Sequence, residues 1–368
     1  VPPQSPLSDR IDLAQVAPSF RPFAEVILRH DDPVPGLIQL LGTLGEKAPA
    51  AEARDFALLL RRTLPQSARL DRVSDVFIRG SYPLWYIRAV NDPHRNAAYR
   101  QALQSLVTPE TLVLETGTGS GLFAMLAACA GARHVYTCEK DPHVAAIARA
   151  NIERNRLADR ITLFECRHED LRIGEHLPRR ADLLVHEFVG AYFLVANIGT
   201  MFNRLRAELL TPEALILPNR FAATGMLVGD QWPLASIRVP AAVEGLDVSG
   251  INLLAAAEVS LPGPISIELP LSAPRSLAEF DLMSGEGPAN GSHLIEFVAT
   301  ADGAATGILQ WVQHGFPNGT AYENRPDLAC NWCPYFRPFQ SPVRLAAGDT
   351  LTVRVECNET EIFIDLAN

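Results

Sequence analysis

Apolar and polar positions change rhythm along this 368-residue chain, and each rhythm predicts a different kind of element. Over residues 1–75 apolar side chains recur at helical spacing. The clearest case is AAEARDFALLLRRTL, Ala50 to Leu64, where Ala, Phe and Leu fall on one face. The segment before it, ending in AEVILRH, has the same character and is interrupted by Pro33 and Pro35. Residues 84–106 predict two short helices meeting near Asp92, because Pro93 is tolerated in a first helical turn but not in an interior one.

From 111 to 218 short apolar runs alternate with helical ones. TLVLET, HVYTCEKD, ITLFEC and ADLLVHEF read as strands. LFAMLAACAGA, closed by Gly131, and PHVAAIARANIERN, with Pro142 in its first turn, read as helices. That alternation predicts a parallel, doubly wound α/β sheet. After Pro218 the pattern becomes FAATGMLV, ISIELP, SHLIEFVAT, GILQWVQ, LTVRVEC and EIFIDL, separated by Pro, Gly and Asn clusters. Such runs predict an antiparallel β-domain, a sandwich or barrel. The expected organisation is a helical N-terminal extension over 1–75, a Rossmann-like sheet domain over 76–218 and a β-barrel domain over 219–368. The extension carries no catalytic constellation and reads as a packing or oligomerisation appendage.

Composition narrows the classes. A hydrophobic fraction of 48% and a charged fraction of 20% are ordinary for a soluble globular protein. No apolar stretch reaches the roughly 18–20 residues needed to cross a bilayer, so no membrane partner is expected. The opening VPPQSPLSDR lacks the basic and apolar regions of a secretory signal. A net charge of -10 with no long basic run argues against nucleic acid and would favour a cationic substrate, besides serving solubility. The six cysteines are few and scattered, as expected of reduced thiols in the cytoplasm. Cys330 and Cys333 form a CxxC without a second ligand pair, so no metal is expected.

The chemistry concentrates after the first strand of the alternating region. In VLETGTGSGLF, Gly117, Gly119 and Gly121 let the chain turn sharply and let backbone approach a ligand, just where a helix N-terminus offers unpaired N–H groups. A dinucleotide fingerprint needs glycine at the sixth position, and Leu122 stands there. Glu115, just before the glycines, is unsuited to a phosphate and suits an ammonium. S-adenosylmethionine (SAM) carries one on its amino acid end. Glu139 closes the second strand, where a carboxylate accepts both ribose hydroxyls. The third strand ends CRHED, which puts His168 and Glu169 at the same crevice, with Glu169 near the adenine edge. SAM is therefore the expected cofactor.

From about Trp85 to the C-terminus these residues resemble the protein arginine methyltransferases. ETGTGSG with AGARHVYTCEKD is similar to the family's motif I and post I, DLLVHEFVGAYFL to the start of its double-glutamate loop, and LRAELLTPEALILP to the stretch after it. EGLDVSGI resembles a short signature of its β-barrel half. The resemblance implies that NDPHRN folds over the cofactor, with Arg95 pairing its carboxylate as a planar fork and Asp92 beside it. It implies Glu187 as the first glutamate that grips the guanidinium. It also implies a homodimer, joined by an arm within 225–255.

Two departures bear on the substrate. Nine residues after Glu187, where the family has a second glutamate, stands Ala196, with Asn197 next to it. The family's Thr-His-Trp loop is represented by Cys330, Asn331 and Trp332, so its His is missing. Trp311 in LQWVQ is a second possible counterpart, but PVRLAAGDTL follows Trp332 at the expected distance. The expected catalytic set is therefore Glu187, Asn197 as a neutral second arm, and Trp332 as a wall offering cation–π contact. His186, one position before Glu187, should point to the opposite face and serve packing or surface. The expected reaction is methylation of a guanidino group on a protein arginine, free arginine or a small guanidine. The alternatives are a different nucleophile with Glu187 as general base, or a SAM-binding scaffold without catalysis.

Overall fold

The computed structural model describes residues 11–64, 67–82, 85–190, 198–240, 242–284, 291–328, 330, 332–358 and 362–367. The chain divides between Tyr86 and Ile87 into two compact units. The first is helical, with helices Arg21–Ile27, Val34–Leu44, Ala50–Thr63 and Ala68–Arg79. Pro33 and Pro35 start the second of these helices rather than break one, since a first-turn N–H has no helical partner to lose. Ala50–Thr63 buries Ala53, Phe56, Ala57, Leu59 and Leu60 on the face its spacing predicts. Each of the larger side chains contributes about 1.5–3 kcal/mol, and Phe56 stacks on Phe20 at 4.5 Å. The unit continues past residue 75, because Ala68–Arg79 buries Leu70 and Ile78 in the same apolar cluster.

Next in the chain come the two helices expected on either side of Asp92, Trp85–Val90 and Pro93–Leu106. A five-stranded sheet follows: β1 Leu112–Thr116, β2 His134–Cys138, β3 Ile161–Phe164, β4 Ala181–His186 and β5 Leu210–Leu217. Its order is β3-β2-β1-β4-β5, and every pairing is parallel. Helices Leu122–Cys129, Pro142–Arg154 and Ile198–Leu209 make the crossovers that parallel neighbours require. Strand order reverses between β1 and β4, so their C-terminal ends frame the crevice where open α/β sheets bind ligands.

The antiparallel part contains β6 Arg220–Val228, β7 Val259–Ser260, β8 Arg275–Asp281, β9 Gly291–Val298, β10 Gly303–Gly315, β11 Ala321–Glu323, β12 Tyr335–Leu345, β13 Thr350–Cys357 and β14 Ile362–Leu366. One sheet runs β7-β12-β10-β6-β8 with β11 on β10, and another runs β14-β13-β9. Both contribute to one apolar cluster that also takes in Leu112, Leu184 and Phe202, so the parallel and antiparallel parts share a core. The expected run ISIELP forms no strand, contributing only the bridge of Pro270 to Val228. Conversely, β12 carries Pro338 and Pro342 and still pairs along β10. The register shifts between Ala305 and Gly307, which accommodates residues that cannot donate.

Candidate active site

Asp92 caps the Pro93–Leu106 helix, accepting the N–H groups of His94 at 3.1 Å and Arg95 at 3.0 Å. The cap places Arg95 one turn into the helix, where it is buried. Its Nε and Nη2 both donate to Glu187, one to each carboxylate oxygen. Nη1 donates to the Ala89 carbonyl at 3.0 Å and to Asn96 Oδ1 at 2.7 Å, which holds the guanidinium plane. That plane lies over the Phe123 ring, 4.3 Å from its centre. Burial pulls the guanidinium pKa down, and the charge and hydrogen bonds of Glu187 more than reverse it, so the group stays charged.

Glu187 directly follows β4. In register, β4 brings His186 beside Thr116, the residue before the glycine turn. His186 faces inward and donates through Nε2 to the Pro218 carbonyl, 2.9 Å away. Burial pushes its pKa down to about 3, so the imidazole is neutral and a packing group. The Tyr99 hydroxyl donates to the His186 carbonyl at 2.8 Å, steadying the strand end that presents Glu187. Tyr99 lies four residues after Arg95 on the same helical face and stacks on Phe123 at 3.8 Å.

The glycine turn is built as its residues predict. Gly117 and Gly119 have φ of 76° and 54°, conformations costly for other residues. A Cβ at Gly119 would meet nothing within 4 Å. The Gly117 and Thr118 N–H groups donate to the Cys138 carbonyl at 3.1 and 3.0 Å, tying the turn to β2. At the tip of β2, Glu139 accepts the Gly119 N–H at 3.2 Å and the Asp141 N–H at 3.0 Å.

Glu115 points into the protein. It is 2% exposed, and its Oε2 accepts the hydroxyls of Thr118 at 2.6 Å and Thr137 at 2.7 Å. Burial pushes its carboxyl up to about 7 against the pull of those hydroxyls. A raised acid holds its proton in the fold after the unfolded chain has released it. Its contribution to stability is therefore full below the ordinary 4.5 and lost as pH rises through about 7. The difference corresponds to about 3 kcal/mol. Glu115→Gln cannot ionise, so its melting temperature should gain on that of the wild type between pH 5 and pH 8. Melting curves that keep a constant offset across that range would refute this account.

His168 and Glu169 sit in a short 3-10 turn after β3. Arg167 bonds Glu169 at 3.1 Å and holds its carboxyl down at about 2. His168 is half-buried, 5.8 Å edge-on from Phe188, the ring that a Cβ on Gly117 would approach at 3.8 Å. Asn197 lies outside the described residues, as do Ala196 and Asn331. Trp332 is buried in the cluster that holds Tyr99, Leu103 and Phe123. Trp311 belongs to another cluster with Leu309 and Phe336, and its indole N–H donates to Glu323 at 2.6 Å.

Arg95, Glu187, Gly117 and the first turn of the Leu122–Cys129 helix thus meet at the reversal point, with Glu139 at the tip of β2 and Glu169 in the turn that follows β3. Phe123, Tyr99, Thr118 and Thr137 belong to this framework and are not among the residues that the sequence pattern singles out. The helical spacing of Arg95 and Tyr99 was a usable signal for one of them. Among the described residues no cluster of His, Cys, Asp and Glu is arranged to hold a metal, and no helix is long and apolar enough to cross a membrane.

A family profile described as ribosomal protein L11 methyltransferase (PrmA) matches residues 99–198. The arginine N(omega)-methyltransferase of Streptomyces achromogenes subsp. streptozoticus is 32% identical over 327 residues, covering 86% of this chain and 87% of that protein. Protein arginine N-methyltransferase 7 of Drosophila melanogaster is 29% identical over 242 residues, which are 60% of this chain. The chain spans only 35% of that relative's length. In fold, the chain is similar to the Trypanosoma brucei PRMT1 enzyme–prozyme heterotetrameric complex with AdoHcy, with a TM-score of 0.66 at 20% identity over 78% of this chain and 95% of that one. Arabidopsis thaliana protein arginine methyltransferase 10 gives a TM-score of 0.60 at 18% identity over 75% of this chain and 88% of that one.

Proposed function

The chain belongs to the arginine methyltransferase family and is a SAM-dependent enzyme of guanidino methylation, and from that premise we propose how its residues divide the work. SAM supplies an activated methyl group on a sulfonium. The chain must hold that donor, seat a guanidine against it and balance its charge. The observation that carries this reading is the Arg95–Glu187 fork, because it supports a matching role for each partner. Glu187 already accepts a planar guanidinium through two N–H groups, the grip a substrate guanidine needs. Arg95 already donates a fork to a carboxylate, the grip the cofactor's carboxylate needs. Exchanging each partner for its ligand counterpart conserves charge.

The remaining roles follow from position in the fold or, for Asn197, from its place in the sequence after Glu187. Open space at Gly119 leaves backbone close to the crevice, and Glu139 at the β2 tip is the ribose acceptor. His168 and Glu169 border the adenine edge. Glu115 acts through the turn it braces, on the side of the ammonium. Trp332 walls the pocket, and Asn197 supplies a neutral second arm to the guanidine. With one carboxylate in place of two, the grip on a guanidinium is weaker and favours a small substrate held by further contacts. The relative spanned almost end to end is named for arginine itself, which supports free arginine as the acceptor over a protein arginine. The protein works in the cytoplasm, without nucleic acid. Incubation with labelled SAM and free arginine, an arginine-rich peptide or a lysine-rich peptide should label free arginine. Label on the lysine peptide alone would overturn the guanidine reading.

We also propose a homodimer. Within 225–255 the residues Leu246, Ile251, Leu253 and Leu254 are 68%, 57%, 93% and 85% exposed, an unusual run of bare apolar surface. Leu253→Glu with Leu254→Glu should convert a dimer into a monomer on a sizing column. A wild-type protein that already elutes as a monomer would exclude the arm.

A further inference from the structure

We propose that Tyr322 is a positioning residue of this active site, its hydroxyl fixing Asp92 and thereby the helical turn that carries Arg95. The effect on SAM described below rests on the reading of Arg95 as the cofactor's carboxylate partner.

Tyr322 stands on β11, paired with His314 of β10, 230 residues along the chain from Asp92. Its hydroxyl donates to Asp92 Oδ2 at 2.9 Å. Both residues are buried, at 2% and 0% exposure. The other oxygen of the same carboxylate, Oδ1, is the one that caps the Pro93–Leu106 helix at His94 and Arg95. The two oxygens therefore face two parts of the fold, the helix on one side and the β-domain on the other. A helix cap needs only one side-chain oxygen, so the bond to Tyr322 is additional to capping.

The geometry makes the bond an aiming device. The Ala89 carbonyl that holds Arg95 Nη1 lies just before the cap, and the capped Arg95 N–H lies just after it. Rotation of the Asp92 carboxylate would shift both ends of this corner and the guanidinium between them. Tyr322 is itself held on two sides, with its ring edge-on to His314 at 5.8 Å and to Trp332 at 6.1 Å. Burial and the neighbouring Asp92 raise the phenol pKa, so it remains a donor at neutral pH. A hydrogen bond to a charged group contributes more than one between neutral groups, and small displacements of a binding group are costly in an active site.

Tyr322→Phe keeps the ring and removes only the donor. Asp92→Asn approaches from the other side, since an amide still caps the helix through its oxygen but turns an N–H donor toward Tyr322, which removes the charged acceptor and reverses the direction of any bond that remains. Two measurements separate aiming from mere packing. Amide hydrogen exchange at His94 and Arg95 should rise about tenfold in either variant, while the helix interior from Ala98 to Leu103 stays protected. The Kd for SAM by calorimetry should rise about tenfold, which is about 1.4 kcal/mol, with kcat at saturating SAM within about threefold of wild type. The double variant should lose no more affinity than the worse single one. Unchanged exchange in both variants overturns the proposal, and so does increased exchange with an unchanged Kd. If the wild type itself takes up no SAM, the cofactor reading fails, and the exchange measurement alone then decides whether Tyr322 fixes this turn.

Discussion

Glu187→Gln should lower methyl transfer to a guanidine by about 10²–10³-fold, the range for removing one preorganised electrostatic group from a reaction centre. Glutamine keeps the shape and one acceptor oxygen, but it loses the charge and the second acceptor. A guanidinium is a poor nucleophile because its charge is delocalised over three nitrogens. A carboxylate bonded to two of them holds that charge away from the third, and an amide cannot. In the protein Glu187 also balances Arg95, whose side chain is only 6% exposed. Breaking one side of a buried pair typically costs about 3–5 kcal/mol, and the 19% exposure of the Glu187 side chain places this pair toward the low end. Rate must therefore be measured on protein shown by melting and by SAM binding to be folded. A folded variant with wild-type kcat on the guanidine would remove Glu187 from the catalytic role.

Arg95→Lys should weaken SAM binding by about 10–100-fold, equivalent to about 1.4–2.8 kcal/mol. Lysine keeps the positive charge, so the prediction isolates geometry. It cannot present two parallel N–H donors to a carboxylate. It also loses the flat contact over Phe123 and the Nη1 bonds to Ala89 and Asn96 that fix the plane. The loss should appear in the Kd for SAM and in kcat/KM at low SAM, with a much smaller loss of kcat at saturation. A Kd within twofold of wild type would show that a point charge suffices and that the fork is not the cofactor grip.

These two substitutions separate the halves of one ion pair. Glu187→Gln should chiefly affect the acceptor, and Arg95→Lys the donor. A variant pair that gave the same kinetic signature would indicate a single structural role for both.

The parallel sheet was legible because its signals are local. Alternating strand and helix patterns, Pro93 and Pro142 in first turns, and glycines between β1 and its helix each depend on residues a few positions apart. The glycine turn, Glu139 at a strand tip and Glu187 at another could be placed from the strand pattern alone. The antiparallel part was read less well. ISIELP looks like a strand and pairs only at its end, while YFRPFQSPVRL, with two prolines, forms eleven residues of β12. Strand pairing there depends on partners far away in the chain and on a register shift opposite Pro338, which no local pattern reports.

By itself, then, the order of residues determined that the first sheet is parallel, which local elements build most of it, and where its glycine turn falls. Tertiary structure alone decided which side chains face one another across the switch point. Arg95 and Glu187 are 92 residues apart and Tyr322 and Asp92 are 230 apart. It also turned Glu115 inward onto two threonines rather than outward toward a ligand. The physical reason is that helices and strands follow from short-range sterics and periodic burial. Pairing of buried polar groups follows from whichever donors and acceptors the packed core leaves facing each other.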